Sequence, residues 1–143
     1  MAEHLVLPHA GEALPSFDVE VTAERVCAYA DASGDHNPIH LDTAFAATTS
    51  FGGTIAHGML LLAYVSRLLT ERFGSAWVES GTLDARFRSP ALVGSRISVS
   101  GEVKAIEPTG GGTKVECTLR CSDALGNALV TATARLTVGV APK

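Results

Sequence analysis

From Thr82 onward, polar and apolar positions alternate. Leu83, Ala85 and Phe87 interleave with Asp84, Arg86 and Arg88, and Ile97, Val99, Val103 and Ala105 with Ser98, Ser100, Glu102 and Lys104. Val115, Cys117, Leu119 and Cys121 alternate with Glu116, Thr118 and Arg120, and Ala128, Val130, Ala132, Ala134, Leu136 and Val138 make a fourth such segment. A period of two predicts strands with one buried and one wetter face. The links Pro90 to Ser95, Pro108 to Gly112 and Asp123 to Asn127 are short and suit antiparallel neighbours. Ahead of the strands, Gly58 to about Phe73 reads as a helix that is apolar almost all round: Met59, Leu60, Leu61, Leu62, Ala63, Tyr64, Val65, Leu68 and Leu69. A helix without a polar face must be surrounded. The predicted architecture is α+β, one domain over residues 1–143, with an antiparallel sheet wrapped around a long central helix.

The N-terminal part carries smaller elements. The chain through Pro15 reads as irregular, with a short strand from about Phe17 to Val21. Thr22 suits the N-cap of a helix from Ala23 to about Ala32, and Glu24 favours its first turn. Val26, Cys27, Tyr29 and Ala30 would form its buried face. A second short helix is expected from Asp42 through Phe45 to about Ala47, followed by the turn-rich Ser50-Phe51-Gly52-Gly53. Gly110-Gly111-Gly112 joins two strands, opens no helix and reads as a hairpin turn, not a phosphate loop.

Composition narrows the function classes. The chain has 143 residues, 46% of them hydrophobic and 18% charged, with a net charge of −4. That suits one globular core and, without a basic run, excludes nucleic acid as a partner. The longest apolar run, Met59 to Val65, is too short to span a membrane. The first twenty residues show no basic region followed by an apolar block, so no secretory leader is expected and the cytoplasm is the predicted compartment. Cys27, Cys117 and Cys121 leave one unpaired in any scheme and form no C-x-x-C, so buried thiols in a reducing compartment are expected.

The chemistry concentrates in Ser33-Gly34-Asp35-His36-Asn37-Pro38-Ile39-His40. Pro38 forces Asn37 out of the helical region, so Asp35 to His40 reads as an extended or turning loop. On a continuous helix five positions turn about 500°, separating the two side chains, whereas a loop lets them converge on one water. Shortly afterwards Ala56-His57-Gly58-Met59 opens the apolar helix. An acid/base pair beside a helix start can add or remove water next to a polarised carbonyl. On spacing alone, a turn-capping Asp35 and a surface His40 explain the same residues.

Three runs together resemble one family. Tyr29-Ala30-Asp31-Ala32-Ser33-Gly34-Asp35-His36-Asn37-Pro38-Ile39-His40, Ile55-Ala56-His57-Gly58-Met59 and Arg86-Phe87-Arg88-Ser89-Pro90-Ala91-Leu92-Val93-Gly94, in this order, resemble the MaoC-like hydratases, which include (R)-specific enoyl-CoA hydratases and have the hot-dog fold. The resemblance covers nearly the whole chain. It implies interconversion of trans-2-enoyl and (R)-3-hydroxyacyl thioesters of CoA or acyl carrier protein, with no cofactor beyond the substrate's own pantetheine. Asp35 and His40 would be catalytic, and the Gly58 backbone N–H would be the oxyanion donor. Asn37 would fix the loop. His57 would orient it or line the pocket, which Phe51 and Met59 would also line. His36 would point away.

No metal is expected: Asp35, His36, His40 and His57 offer ligand atoms without the paired spacing of a zinc site. Arg86 and Arg88 read as solvated strand charges or phosphate contacts. The resemblance also implies a homodimer or a heterodimer. The competing readings are a non-catalytic hot-dog subunit of a heterodimeric dehydratase and, further off, a thioesterase.

Overall fold

The computed structural model describes residues 5–139, so the first four residues of the expected irregular N-terminal segment lie outside the described residues. The elements are β1 (Phe17–Glu20), α1 (Ala23–Ser33), α2 (Pro38–Leu41), α3 (Thr43–Ala47), α4 (Gly58–Phe73), α5 (Ser75–Ser80), β2 (Thr82–Phe87), β3 (Arg96–Thr109), β4 (Gly112–Asp123) and β5 (Ala128–Gly139). The strands form one antiparallel sheet in the order β1-β3-β4-β5-β2. Ile97, Val99, Val103, Val115, Cys117, Leu119, Cys121, Val130, Ala132, Ala134, Leu136 and Val138 form its buried face. Leu60, Leu61, Val65, Leu68, Leu69 and Phe73 of α4 complete the same core. Each fully buried side chain of this kind contributes about 1.5–3 kcal/mol.

The helix is less enclosed than its composition predicts. The sheet covers one side of α4, while Met59 and Ala63 are exposed and Leu62 and Tyr64 half-buried. An apolar outer stripe is therefore left open within the single chain.

Two of the three short links join neighbours, as expected. The first does not: β2 pairs with β5, and β4 and β5 separate it from β3. Residues 88–95 instead cross over the chain entering α4. The Ala56 N–H donates to the Ala91 carbonyl at 2.8 Å and the Val93 N–H to the Thr54 carbonyl at 2.9 Å. That crossover fixes the approach to Gly58.

Four local expectations also change. His40 lies on the short helix α2, because Pro38 takes the first helical position, where its missing N–H is not needed. A register shift after Val103 turns Ala105 out to solvent. Cys27 is exposed on α1, while Cys117 and Cys121 are buried. The last two are chemically quiet, since burial pushes their thiols up to about 12 and about 11. Finally, α5 was not expected. It is bracketed by Gly74 and Gly81 and holds Trp77 in the core, where the indole N–H donates to the Ser66 hydroxyl at 2.9 Å.

The N-terminal segment is tied down by one ion pair. Arg72, near the end of α4, donates to both Glu12 carboxylate oxygens at 2.6 and 3.2 Å and to the Val6 carbonyl at 3.0 Å. The hydrogen bond from Arg72 holds the Glu12 carboxyl below its ordinary 4.5. Arg72→Met is expected to lower stability by about 1–3 kcal/mol at neutral pH. Because the folded-state value is depressed, the pair's contribution is present above 4.5 and lost as pH falls below it. Melting curves of both proteins at neutral pH and at about pH 3 should show the difference shrinking in acid.

Candidate active site

The loop between α1 and α2 is built from local hydrogen bonds. Gly34 ends α1 in the left-handed region (φ 80°), which favours glycine, and its N–H donates to the Ala30 carbonyl at 2.8 Å. The Asp35 N–H donates to the Ser33 hydroxyl at 3.2 Å, and the Asn37 N–H to Asp35 Oδ1 at 3.2 Å. Asn37 caps α2, its side-chain oxygen accepting from the Ile39 N–H at 3.1 Å. Asn37 thus holds the shape of the loop.

These bonds leave Asp35 Oδ2 facing His40 Nε2 at 3.8 Å. That is beyond a direct hydrogen bond and leaves both atoms open to a shared small molecule. The Asp35 side chain is 53% exposed and that of His40 11%. The other ring nitrogen, His40 Nδ1, lies 2.7 Å from the Ile55 carbonyl. A carbonyl only accepts, so Nδ1 carries the hydrogen and neutral His40 presents a lone pair at Nε2. The Ile55 N–H returns a bond to the Ile39 carbonyl at 3.2 Å. His40 is thereby joined to the segment that enters α4.

His57 precedes α4 and packs behind the pair. It is 2% exposed, its ring stacks on His40 at 3.8 Å between centroids with 24° between planes, and Tyr29 lies against it at 4.9 Å. Its Nε2–H donates to the Asp35 carbonyl at 2.9 Å, while Nδ1 is buried without a partner.

The first helical bond of α4 runs from the Leu60 N–H to the His57 carbonyl at 3.0 Å, so the N–H groups of Gly58 and Met59 precede the ladder. The helix dipole favours negative charge there. A Cβ on Gly58 would stand 2.7 Å from Phe87 Cε1, so glycine here admits an aromatic ring against the helix start. Phe87, at the end of β2, is 57% exposed. Alternation marks it as a buried strand residue and gives no sign that it borders the site.

Of the residues expected to line the pocket, Phe51 and Met59 are exposed, and Met59 follows Gly58 at the start of α4. His36 points away and pairs with Asp31 at 3.0 Å, which raises its pKa. Arg86 and Arg88 line a groove of about 700 Å³ on the polar face of the sheet, together with Asp84, Glu102 and Arg120. The lining of that groove includes neither Asp35 nor His40. Sequence spacing also missed that Asp35, His40 and His57 each place a ligating atom within 4.8 Å of the others. Two of the ring nitrogens in this cluster are already engaged, His40 Nδ1 with the Ile55 carbonyl and His57 Nε2 with the Asp35 carbonyl.

Comparison with known proteins bears on the family and the fold. The family model described as "MaoC like domain" matches residues 8–124. The chain is 39% identical over 109 residues to 3-hydroxyacyl-thioester dehydratase Z of Mycobacterium tuberculosis, covering 73% of this chain and 72% of that protein. It is 42% identical over 85 residues to an (R)-specific enoyl-CoA hydratase of Aeromonas caviae, covering 59% of this chain and 63% of that protein. The solved structure of the (R)-hydratase from A. caviae superposes with a TM-score of 0.80 at 31% identity, over 91% of this chain and 96% of that one. Strand order, the helix laid on the sheet and the family match over both the Asp35–His40 loop and the start of α4 converge: the chain belongs to the MaoC-like family of the hot-dog fold.

Proposed function

We infer that this protein interconverts trans-2-enoyl and (R)-3-hydroxyacyl thioesters by adding or removing water. The observation that carries the reading is the open face shared by Asp35 Oδ2 and His40 Nε2, 3.8 Å apart, with His40 locked at its other nitrogen. A carboxylate oxygen and an imidazole lone pair both accept hydrogen bonds. A water between them gives a hydrogen to each and turns its own lone pair outward. In hydration that lone pair attacks Cβ, one of the pair takes the water's proton, and a proton is delivered to Cα. The elements of water are added and nothing is oxidised or reduced. Charge that gathers on the thioester oxygen as Cβ is attacked is received at the Gly58 N–H. No cofactor is required beyond the pantetheine of the CoA or carrier-protein substrate.

The working form is a dimer, here assigned to two copies of this chain. Supporting this, β2 has one neighbour in the sheet and so leaves an unpaired edge. Met59 and Phe87, both exposed, lie at the adjoining start of α4. Among the described residues no helix is long and apolar enough to cross a membrane. We place the activity in the cytoplasm, where unpaired thiols persist.

The test is hydration of crotonyl-CoA by the purified protein, with chiral analysis of the product and the solution mass measured on the same sample. The expected product is (R)-3-hydroxybutyryl-CoA from a particle of twice the chain mass. Absence of turnover on short, medium and long enoyl-CoA and on enoyl carrier protein would overturn the reading. A monomer that turns over would remove only the dimer.

A further inference from the structure

We propose that His57 is the positioning residue of this site, holding the Asp35 backbone and the His40 ring in register. The proposal rests on the reading of Asp35 and His40 as the reacting pair. Asp35 sits in an exposed loop whose other bonds are local, to Ser33, Asn37 and the end of α1. Among the described residues, the Nε2–H of His57 is the one hydrogen bond that ties the Asp35–Asn37 backbone to a residue distant in sequence. The same imidazole covers one face of His40, while the Ile55 carbonyl holds that ring's Nδ1 edge. One side chain therefore constrains both members of the pair.

His57 is held in turn. Its carbonyl accepts the first bond of α4, Tyr29 packs against its ring, and its backbone enters the helix at φ −60° and ψ 134°. A hydrogen on Nδ1 would meet no acceptor, so Nε2 carries the proton and faces Asp35. The unpartnered Nδ1 separates a positioning role from a filling role. A residue kept only to fill the core would be better served by an apolar ring, which buries no orphan nitrogen. With Nδ1 shielded and Nε2 engaged, His57 presents no accessible polar atom and acts through the other two.

Two substitutions separate these roles. His57→Phe keeps a flat ring against His40 and removes the donor to Asp35. His57→Gln carries an amide N–H to about the place of Nε2 and restores that donor. His57→Phe gives up the bond to the Asp35 carbonyl but also the orphan Nδ1, so it is expected to melt close to wild type. Its kcat should fall by on the order of 10²-fold, the scale of a misplacement of about 1 Å, with little change in KM. His57→Gln should recover part of that loss. Backbone order parameters across residues 34–37, measured by NMR on the same proteins, should drop in His57→Phe and rise again in His57→Gln.

Unchanged turnover in His57→Phe overturns the proposal, as does a fall in turnover with the loop as rigid as in wild type. If phenylalanine does not fold, His57→Leu, which also lacks the donor, serves the same comparison. If wild type itself hydrates no enoyl thioester, the proposed function fails separately, and the order parameters still decide whether His57 anchors the loop.

Discussion

Asp35→Asn and His40→Gln are each expected to lower kcat on crotonyl-CoA by about 10²-fold or more, the usual contribution of a positioned acid or base. In Asp35→Asn the Oδ1 position can still accept from the Asn37 N–H, so the loop keeps its shape. An amide nitrogen then replaces Oδ2 and points a donor at His40 Nε2, which lies 3.8 Å from Oδ2 in the wild type. One change thus removes a carboxylate and offers the imidazole lone pair a competitor for water. The Asp35 side chain is 53% exposed, so melting should move within the small range of surface substitutions, about 0.5 kcal/mol. In His40→Gln the imidazole, and with it one of the two proton-transfer groups, is lost outright. Its Nδ1 bond to Ile55 is lost or weakened, and about 1 kcal/mol of stability goes with it. Kinetics and melting curves on the same preparations check both. Wild-type turnover in either variant would remove the pair from the mechanism.

Much of this arrangement is readable from residue order because it rests on local chemistry. Thr22 marks the start of α1 by capping, whereas Pro38, which reads as keeping the next segment extended, instead opens α2 where its missing donor costs nothing. The alternation of β3, β4 and β5 reports a face that one core must bury. Strand order is another matter. Leu83, Ala85 and Phe87 carry the same alternation whether β2 lies beside β3 or β5, and only the crossover of residues 88–95 decides between them. The outward turn of Ala105 comes from a register shift that a period-two reading cannot register. The exposed stripe of α4 was hidden for a related reason: apolar composition demands cover and does not say which molecule supplies it.

The candidate site divides in the same way. The Asp35–His40 loop and the Gly58 helix start stand out as motifs, and the family likeness binds them together. Their meeting in space depends on long-range hydrogen bonds that no spacing reveals: His40 to Ile55, His57 to Asp35, and Ala56 to Ala91. Phe87 was invisible as a site neighbour because its contact is with a glycine, which has no side chain to suggest a partner.

Gly58→Pro should lower kcat by about 10²- to 10³-fold, the scale of removing one oxyanion donor, without dissolving α4. Gly58 is the first helical residue, where proline is favoured because that N–H has no partner in the helix. The preceding residue must be extended, and His57 already is, at φ −60° and ψ 134°. The backbone therefore accepts proline, and the substitution deletes the N–H selectively. It also adds a Cβ, which meets the Phe87 ring at 2.7 Å, so the ring must swing aside. Phe87 is 57% exposed in the single chain and would be covered in the proposed dimer, so the effect of moving its ring has to be measured on its own. Gly58→Ala is the control, since it displaces the same ring but keeps the N–H. Whatever alanine loses measures the displaced ring, and the further loss in proline measures the hydrogen bond. Measured kcat and melting temperature for both should show alanine well above proline at similar stability. Equal activity in the two would assign the oxygen to another donor, with the free N–H of Met59 next in line along the helix start.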